Sequence, residues 1–424
     1  MKELQRRELF DCVAFNYITD NRFTTSLITV TMYMPLDVET ISEYSILVNL
    51  LTRTCKAYPD FTSMSKKLSS LYGATVSFDC EKIGDRLALR FNIKGIGDRY
   101  SLDDEKLSKE FSDLLCKMIF EPNVNDESFD EKEVEQCKRE QIDMIDSLYN
   151  DKRIYALHSA IAFMHEGEPF AVSRFGTKEN VKKVNGKSLY KAWKELISKS
   201  KVEIYYIGEN SPEIMIETFS SYFGRIDRSP VELINSPVQE HDTVRYKNEV
   251  MNLSQSKMIL GFRTNCFEDD KNAIALLFMN SLLGGGAHSK LFNNVREKLS
   301  LCYYCFSRNN PYKATLFIES GVESENIEKA KTAILGEIEA IANSDISDFE
   351  FNSTREFLVN SLYKISDSQN DIVEWYLSKT FNSKILSPQQ HAELIKKVTK
   401  EEIVCAAKKL QLDTVYTLTA VSEV

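Results

Sequence analysis

Apolar and polar positions change period several times along the chain, and each change marks an element. Residues 12–18 and 25–34 read as strands, the second alternating through Leu27, Thr29 and Thr31 until Pro35 stops it. Helical spacing follows over 37–57, where Ile46, Leu47, Leu50 and Leu51 recur, and over 62–71. Strands are predicted at 74–79 and 85–93, the latter with Leu87, Leu89 and Phe91 on one face. A helix over 102–119 gives way at Pro122, a highly charged helix runs over 126–148, and another over 154–164 closes at the Gly-Glu-Pro-Phe turn 167–170. A helix over 188–197, a strand over 202–207 and a turn into a further helix complete this half.

The polar, turn-prone stretch 227–248, with Pro230, Pro237 and His241, reads as a linker. The pattern then begins again: strand 257–262, helices 271–283 and 289–298, strands 301–306 and 314–320, long helices from 325 onward and a last strand at 414–419. Strand, helix, helix, strand, strand, helices, strand is the order of the first half as well. The chain is therefore expected to carry an internal duplication at a period of about 230 residues, long enough for two domains rather than a solenoid. The expected class is α+β: a domain over 1–226, the linker 227–248 and a domain over 249–424, each a mainly antiparallel sheet packed with helices.

A length of 424 residues can build two cores. With 53 Lys+Arg against 63 Asp+Glu, the net charge of −10 argues against a nucleic-acid or anionic-membrane binder. No run approaches the roughly 18 apolar residues of a membrane span, and the N-terminus has no apolar segment followed by a cleavage site, so a cytoplasmic protein is expected. Nine cysteines, an odd number without regular spacing, point to reduced thiols. The one CxxC, Cys302 to Cys305, falls in a predicted strand, whereas zinc knuckles come in pairs and a redox CxxC opens a helix.

The least generic stretch is LLGGGAHSKLFNNVREKLSLCYYCFS, residues 282–307. Gly284, Gly285 and Gly286 end an apolar helical run, a second helix follows through Leu291, Val295 and Leu299, and then comes a β-prone segment. Arg296 on the last turn of that helix and Tyr303 on the strand after it are candidates for one polar ligand atom.

These residues resemble the second-domain signature of the pitrilysin, insulinase and mitochondrial processing peptidase family. GEPFAVSRFGTKENV (167–181) and YYIGENSPE (205–213) are similar to first-domain segments of the same family. The resemblance covers essentially the whole chain and implies two homologous domains closing like a clam shell. It also implies a zinc site of the form H-x-x-E-H on the first long helix, completed by a glutamate from a later helix. Here that helix reads SEYSILVNLLTR (42–53), with no histidine and no glutamate after Glu43.

The five histidines, His158, His165, His241, His288 and His391, contain no pair at that spacing. His158 and His165 with Glu166 are the weak remaining metal candidates, and no metal ligand is assigned. Glu140 and Glu133 resemble the third ligand and a supporting carboxylate, and without imidazoles they read as solvated helix charges.

The resemblance is to the non-zinc subunit of the paired bacterial members, which supplies an arginine and a tyrosine to its partner's site. Arg296 and Tyr303 stand at the matching positions as catalytic candidates, with Gly284, Gly285, Gly286, His288 and Tyr304 as substrate-binding neighbours. Leu299-Ser300 replaces the family's usual arginine and glycine after the REK triplet.

The implied function is that of a subunit inactive alone. It would bind unfolded peptides and pair with an H-x-x-E-H homologue that carries the zinc, this chain holding no cofactor itself and forming a homodimer in isolation. The alternative is a structural or peptide-binding assembly protein with no peptidase partner.

Overall fold

A computed structural model describes residues 2–236 and 241–420; the part of the expected linker at 237–240, Pro237 included, lies outside the described residues. The chain divides into two compact units, each discontinuous in sequence. Unit 1 comprises Met1–Ser147, Val172–Ser236 and Ser368–Thr380, and unit 2 comprises Leu148–Ala171, Pro237–Asp367 and Phe381–Val424.

The first half begins with strands β1 (Gln5–Phe10), β2 (Val13–Thr19) and β3 (Thr25–Pro35), then helices α1 (Ile41–Leu51) and α2 (Phe61–Ser70). Strands β4 (Thr75–Ile83) and β5 (Arg86–Ile96) precede α3 (Leu107–Phe120), the two-residue strands β6 (Val124–Asn125) and β7 (Ser128–Phe129), and α4 (Glu131–Asn150). After α5 (Lys152–Met164) come α6 (Lys178–Lys183), α7 (Gly186–Lys199), β8 (Lys201–Gly208) and α8 (Glu213–Phe223).

The second half opens on β9 (Arg245–Met251) and β10 (Ser256–Arg263), followed by α9 (Ala273–Gly284), a π-helix (Leu291–Lys298), β11 (Cys302–Asn310) and β12 (Thr315–Val322). It closes through α10 (Ile327–Ala342), α11 (Asp348–Lys364), α12 (Gln369–Leu377), α13 (Pro388–Ile395), α14 (Lys400–Lys408) and β13 (Gln411–Ala420).

Unit 1 has a sheet of order β1-β2-β8-β3-β5-β4, and unit 2 one of order β11-β12-β10-β13-β9. Setting β1 aside, each sheet places its five strands as first, fifth, second, fourth, third. In each, only the first–fifth pair is parallel, β2 with β8 and β9 with β13. The duplication expected from the order of elements is thus present as identical topology, and the α+β class holds.

The strand that completes the second copy, β9, was hidden in the sequence. Its first four residues lie within the stretch that reads as a linker, and its largely exposed RYKNEVM has no apolar face to announce a strand. β1, QRRELF, is exposed for the same reason.

In unit 1 the apolar side of β3 is Ile28, Val30 and Met32, packed into the helix-covered core with Ile46, Leu47 and Phe111. The alternate register, Thr29 and Thr31, is polar, and Thr29 Oγ1 donates to Asn92 Oδ1 at 2.8 Å. α12 belongs to this unit: Gln369 Nε2 donates to the carbonyls of Thr25 at 2.7 Å and Ile207 at 2.8 Å, and Glu374 pairs with the buried Arg90. In unit 2, α5 sets Ala156, Ala160 and Met164 against Ile259, Tyr416 and Leu418. Each sheet therefore recruits one helix from the other half of the chain. Among the described residues no helix is long and apolar enough to cross a membrane.

Candidate functional site

The end of α9 presses against β11, and the glycines make that approach feasible. A Cβ on Gly284 would stand 2.4 Å from the backbone nitrogen of Ser307, and one on Gly285 would stand 2.6 Å from Cα of Ser281. None of Gly284, Gly285 and Gly286 has a positive φ, so closeness rather than a left-handed turn is what excludes a side chain there. His288 turns back onto this helix end. Its Nε2 lies 3.3 Å from Ser281 Oγ, its ring centroid lies 4.6 Å from that of Phe357, and burial lowers its pKa.

The predicted helix at 289–298 is present in a wider form. Leu299 N donates five residues back to Asn294 O at 2.9 Å, the π pattern. Leu291 and Val295 are buried beneath it. Arg296 is part-exposed, its guanidinium 4.7 Å from the Phe292 ring centroid and Nη1 3.4 Å from Glu297 Oε1. Ser300 then adopts φ 52°, the left-handed region that favours glycine. Where Leu299-Ser300 replaces arginine and glycine, the turn therefore still contains a glycine-type conformation, held by a serine.

β11 starts with a bulge: Cys302 pairs with Val322 and Tyr304 with Gly321, leaving Tyr303 as the extra residue. Tyr303 is 65% exposed and makes no hydrogen bond among the described residues. Tyr304 is part-buried, with Arg153 and Lys257 5.1 and 5.7 Å from its ring centroid. Its hydroxyl is buried without a hydrogen-bond partner, and burial raises its pKa. The two tyrosines thus occupy unlike surroundings. Both Cys302 and Cys305 are buried. A hydrogen bond between their thiols lowers the pKa of Cys302, with the Arg296 guanidinium acting in the same direction, and raises that of Cys305. Arg296 and Tyr303 share the neighbourhood of the strand start without touching one another.

The histidine cluster takes a different form from the one expected. His165 is fully buried and its Nδ1 lies 3.0 Å from Glu168 Oε2, so its carboxylate neighbour is Glu168 and not Glu166. Lys313 Nζ lies 2.7 Å from the same oxygen. Burial opposes ionisation of Glu168, but the hydrogen bonds from His165 and Lys313 hold its pKa down to about 2. Burial lowers the pKa of His165. The turn at 167–170 is thus tied down by a buried polar cluster, and Gly167 takes φ 86° to form it. Among the described residues no group of three or more His, Cys, Asp or Glu side chains could hold a metal ion.

On α4, Glu133 and Glu140 are part-exposed, at 43% and 33% of their side chains, and both are engaged by Arg53. Asn49 Nδ2 of α1 donates to Glu140 Oε2 at 2.9 Å, and Arg53, just beyond α1, donates from Nη1 to Oε1 at 3.0 Å and Oε2 at 3.1 Å. Arg53 Nε reaches Glu133 Oε2 at 3.2 Å, and Gln136 Nε2 donates to Glu140 Oε1 at 2.8 Å. Burial acts against the Glu140 carboxylate, but these hydrogen bonds keep its pKa below the usual value. Zinc does not fit this set. Asn49 presents an amide donor, Arg53 is a permanent cation, and Thr52 donates its hydroxyl to Asn49 O at 2.7 Å. A cleft of about 450 Å³, lined by Asn49, Arg53, Phe61, Met64, Val76 and Phe78 among others, opens beside it.

Residues 183–358 match the family model of the peptidase M16 inactive domain. The probable inactive metalloprotease YmfF of Bacillus subtilis (strain 168) is 28% identical over 401 residues, which is 95% of this chain and 94% of that protein. An uncharacterized zinc protease of the same bacterium, YmxG, is 24% identical over 264 residues, 61% of each chain. A conserved protein from Enterococcus faecalis V583 superposes with a TM-score of 0.90 at 25% identity over 100% of both chains. A peptidase M16 inactive domain from Pseudomonas fluorescens superposes at 0.81 with 15% identity over 99% of each, a likeness of fold.

Proposed function

We propose, from the match of residues 183–358 to the peptidase M16 inactive domain and the likeness to a probable inactive metalloprotease, that the chain works as the non-zinc subunit of a two-chain metallopeptidase. The zinc and its H-x-x-E-H helix would belong to a homologous partner, and this chain would bring Arg296 and Tyr303 to the substrate. Hydrogen-bond donors aimed where negative charge develops stabilise a tetrahedral intermediate. A guanidinium and a phenol both present such donors.

One observation carries the reading. Tyr303 is the extra residue of a bulge on the outermost strand of its sheet, with its phenol exposed and uncommitted. Bulges re-aim side chains, and an open strand edge can accept an extended peptide through backbone hydrogen bonds that tolerate many sequences. The position just past α1 that would host zinc chemistry is occupied by Arg53, which favours a supporting role over an independent one.

The test is reconstitution. The chain is mixed with an H-x-x-E-H homologue encoded beside it and an unfolded peptide, and cleavage is expected only from the mixture. Arg296→Ala and Tyr303→Phe should each lower kcat of the mixture by about 10- to 1,000-fold with the complex intact. Full activity in both variants refutes the assignment. A stable complex with some other protein, and none with a zinc peptidase, would favour the assembly role.

A further inference from the structure

The carboxylates of α4 already hold a cation, and that cation is part of the chain. Asn49 lies on the last turn of α1 and Arg53 in the turn just past its end, four residues on. Both converge on one carboxylate, that of Glu140 on a second helix, and Arg53 spans onward to Glu133 two turns earlier. A zinc site of the H-x-x-E-H kind has two side chains at i and i+4 meeting a carboxylate from another helix, and Asn49 and Arg53 keep that spacing in sequence. What differs is where the positive charge comes from. In such a site a dication sits between neutral imidazoles and the carboxylate; here an amide donor and a guanidinium occupy the two positions.

We propose that Arg53 is a covalent substitute for the metal: its guanidinium neutralises Glu140 and Glu133 and excludes divalent cations from a framework that keeps the spacing to ligate one. Two consequences separate this from an ordinary surface ion pair. The wild-type chain takes no zinc at this position, because a divalent ion would have to approach a fixed positive charge and two carboxylates already engaged. Replacing Asn49 and Arg53 by histidine, with Glu140 unchanged, makes a site of two imidazoles and one carboxylate. The inference concerns this chain alone, and its test needs no partner.

The experiment is zinc titration of the full chain, read by metal stoichiometry after dialysis and by thermal melting. The variants are Asn49→His/Arg53→His and the same pair with Glu140→Gln. The wild type is expected to show no zinc-dependent shift that depends on Glu140. The double variant should retain about one zinc per chain, and Glu140→Gln should weaken that binding on the order of 100-fold.

Zinc retained by the wild type and lost on Glu140→Gln overturns the claim of exclusion. A double variant that has native circular dichroism and retains no zinc overturns the claim of preserved spacing. Should the double variant fail to fold, Arg53→Met decides. Without the guanidinium, added zinc should raise the melting temperature of that variant and not that of Arg53→Lys. Equal responses in the two refute the charge substitution.

Discussion

Lys313→Met tests the buried cluster that ties the 167–170 turn to the rest of unit 2. The Glu168 side chain is 1% exposed, as is that of Lys313, and the two groups stand 2.7 Å apart. The pKa of Glu168 is about 2, against an ordinary 4.5. A difference of that size corresponds to about 3 kcal/mol. The sign follows from the direction: a carboxyl with a depressed pKa stabilises the fold above its unfolded value near 4.5, and that contribution is lost as pH falls toward 2.

Removing Lys313 takes the cation from a buried carboxylate that keeps its hydrogen bond to His165, and the expected cost is about 3–5 kcal/mol at pH 7. Adding Glu168→Gln removes the buried charge and should recover most of the loss. The assay is urea unfolding of the full chain followed by circular dichroism and by tryptophan fluorescence. Both tryptophans, Trp193 and Trp375, lie in unit 1. Fluorescence therefore follows that unit, and a transition seen in circular dichroism alone reports on unit 2. The gap between wild type and Lys313→Met should narrow as pH falls below about 4.5. A loss under about 1 kcal/mol at pH 7, or a double variant no more stable than the single one, would refute the reasoning.

Three further outcomes follow from local geometry. Ser300→Gly releases a non-glycine residue from φ 52° and should stabilise the chain by about 1 kcal/mol, read as a higher melting temperature. Gly284→Ala puts a methyl 2.4 Å from the Ser307 backbone nitrogen and should cost about 1–3 kcal/mol in a denaturant melt. Tyr303→Phe removes only an exposed hydroxyl without a hydrogen bond, so stability should change by less than about 0.5 kcal/mol, which isolates any effect on peptidase turnover from folding.

Much of this protein is written locally. Period-2 and period-3.6 patterns depend on residues a few positions apart, which is why β3, α1, β5, β10 and β12 are legible in the sequence and why the repeated order of elements exposes the duplication. The absence of histidine from the first long helix, and the standing of Arg296 and Tyr303 on a helix end and the following strand, are likewise properties of the sequence alone.

Tertiary structure decided what depends on partners far away in the chain. β9 is a strand because β13 pairs with it, 169 residues on, and not because its own pattern demands it. The exchange of α5 and α12 between units leaves no periodic signature, since a helix buries the same face whichever sheet receives it. Tyr303 is set apart from Tyr304 by a bulge in pairing with β12. Arg53 and Glu140, 87 residues apart, read as two unremarkable charges until the fold brings them together.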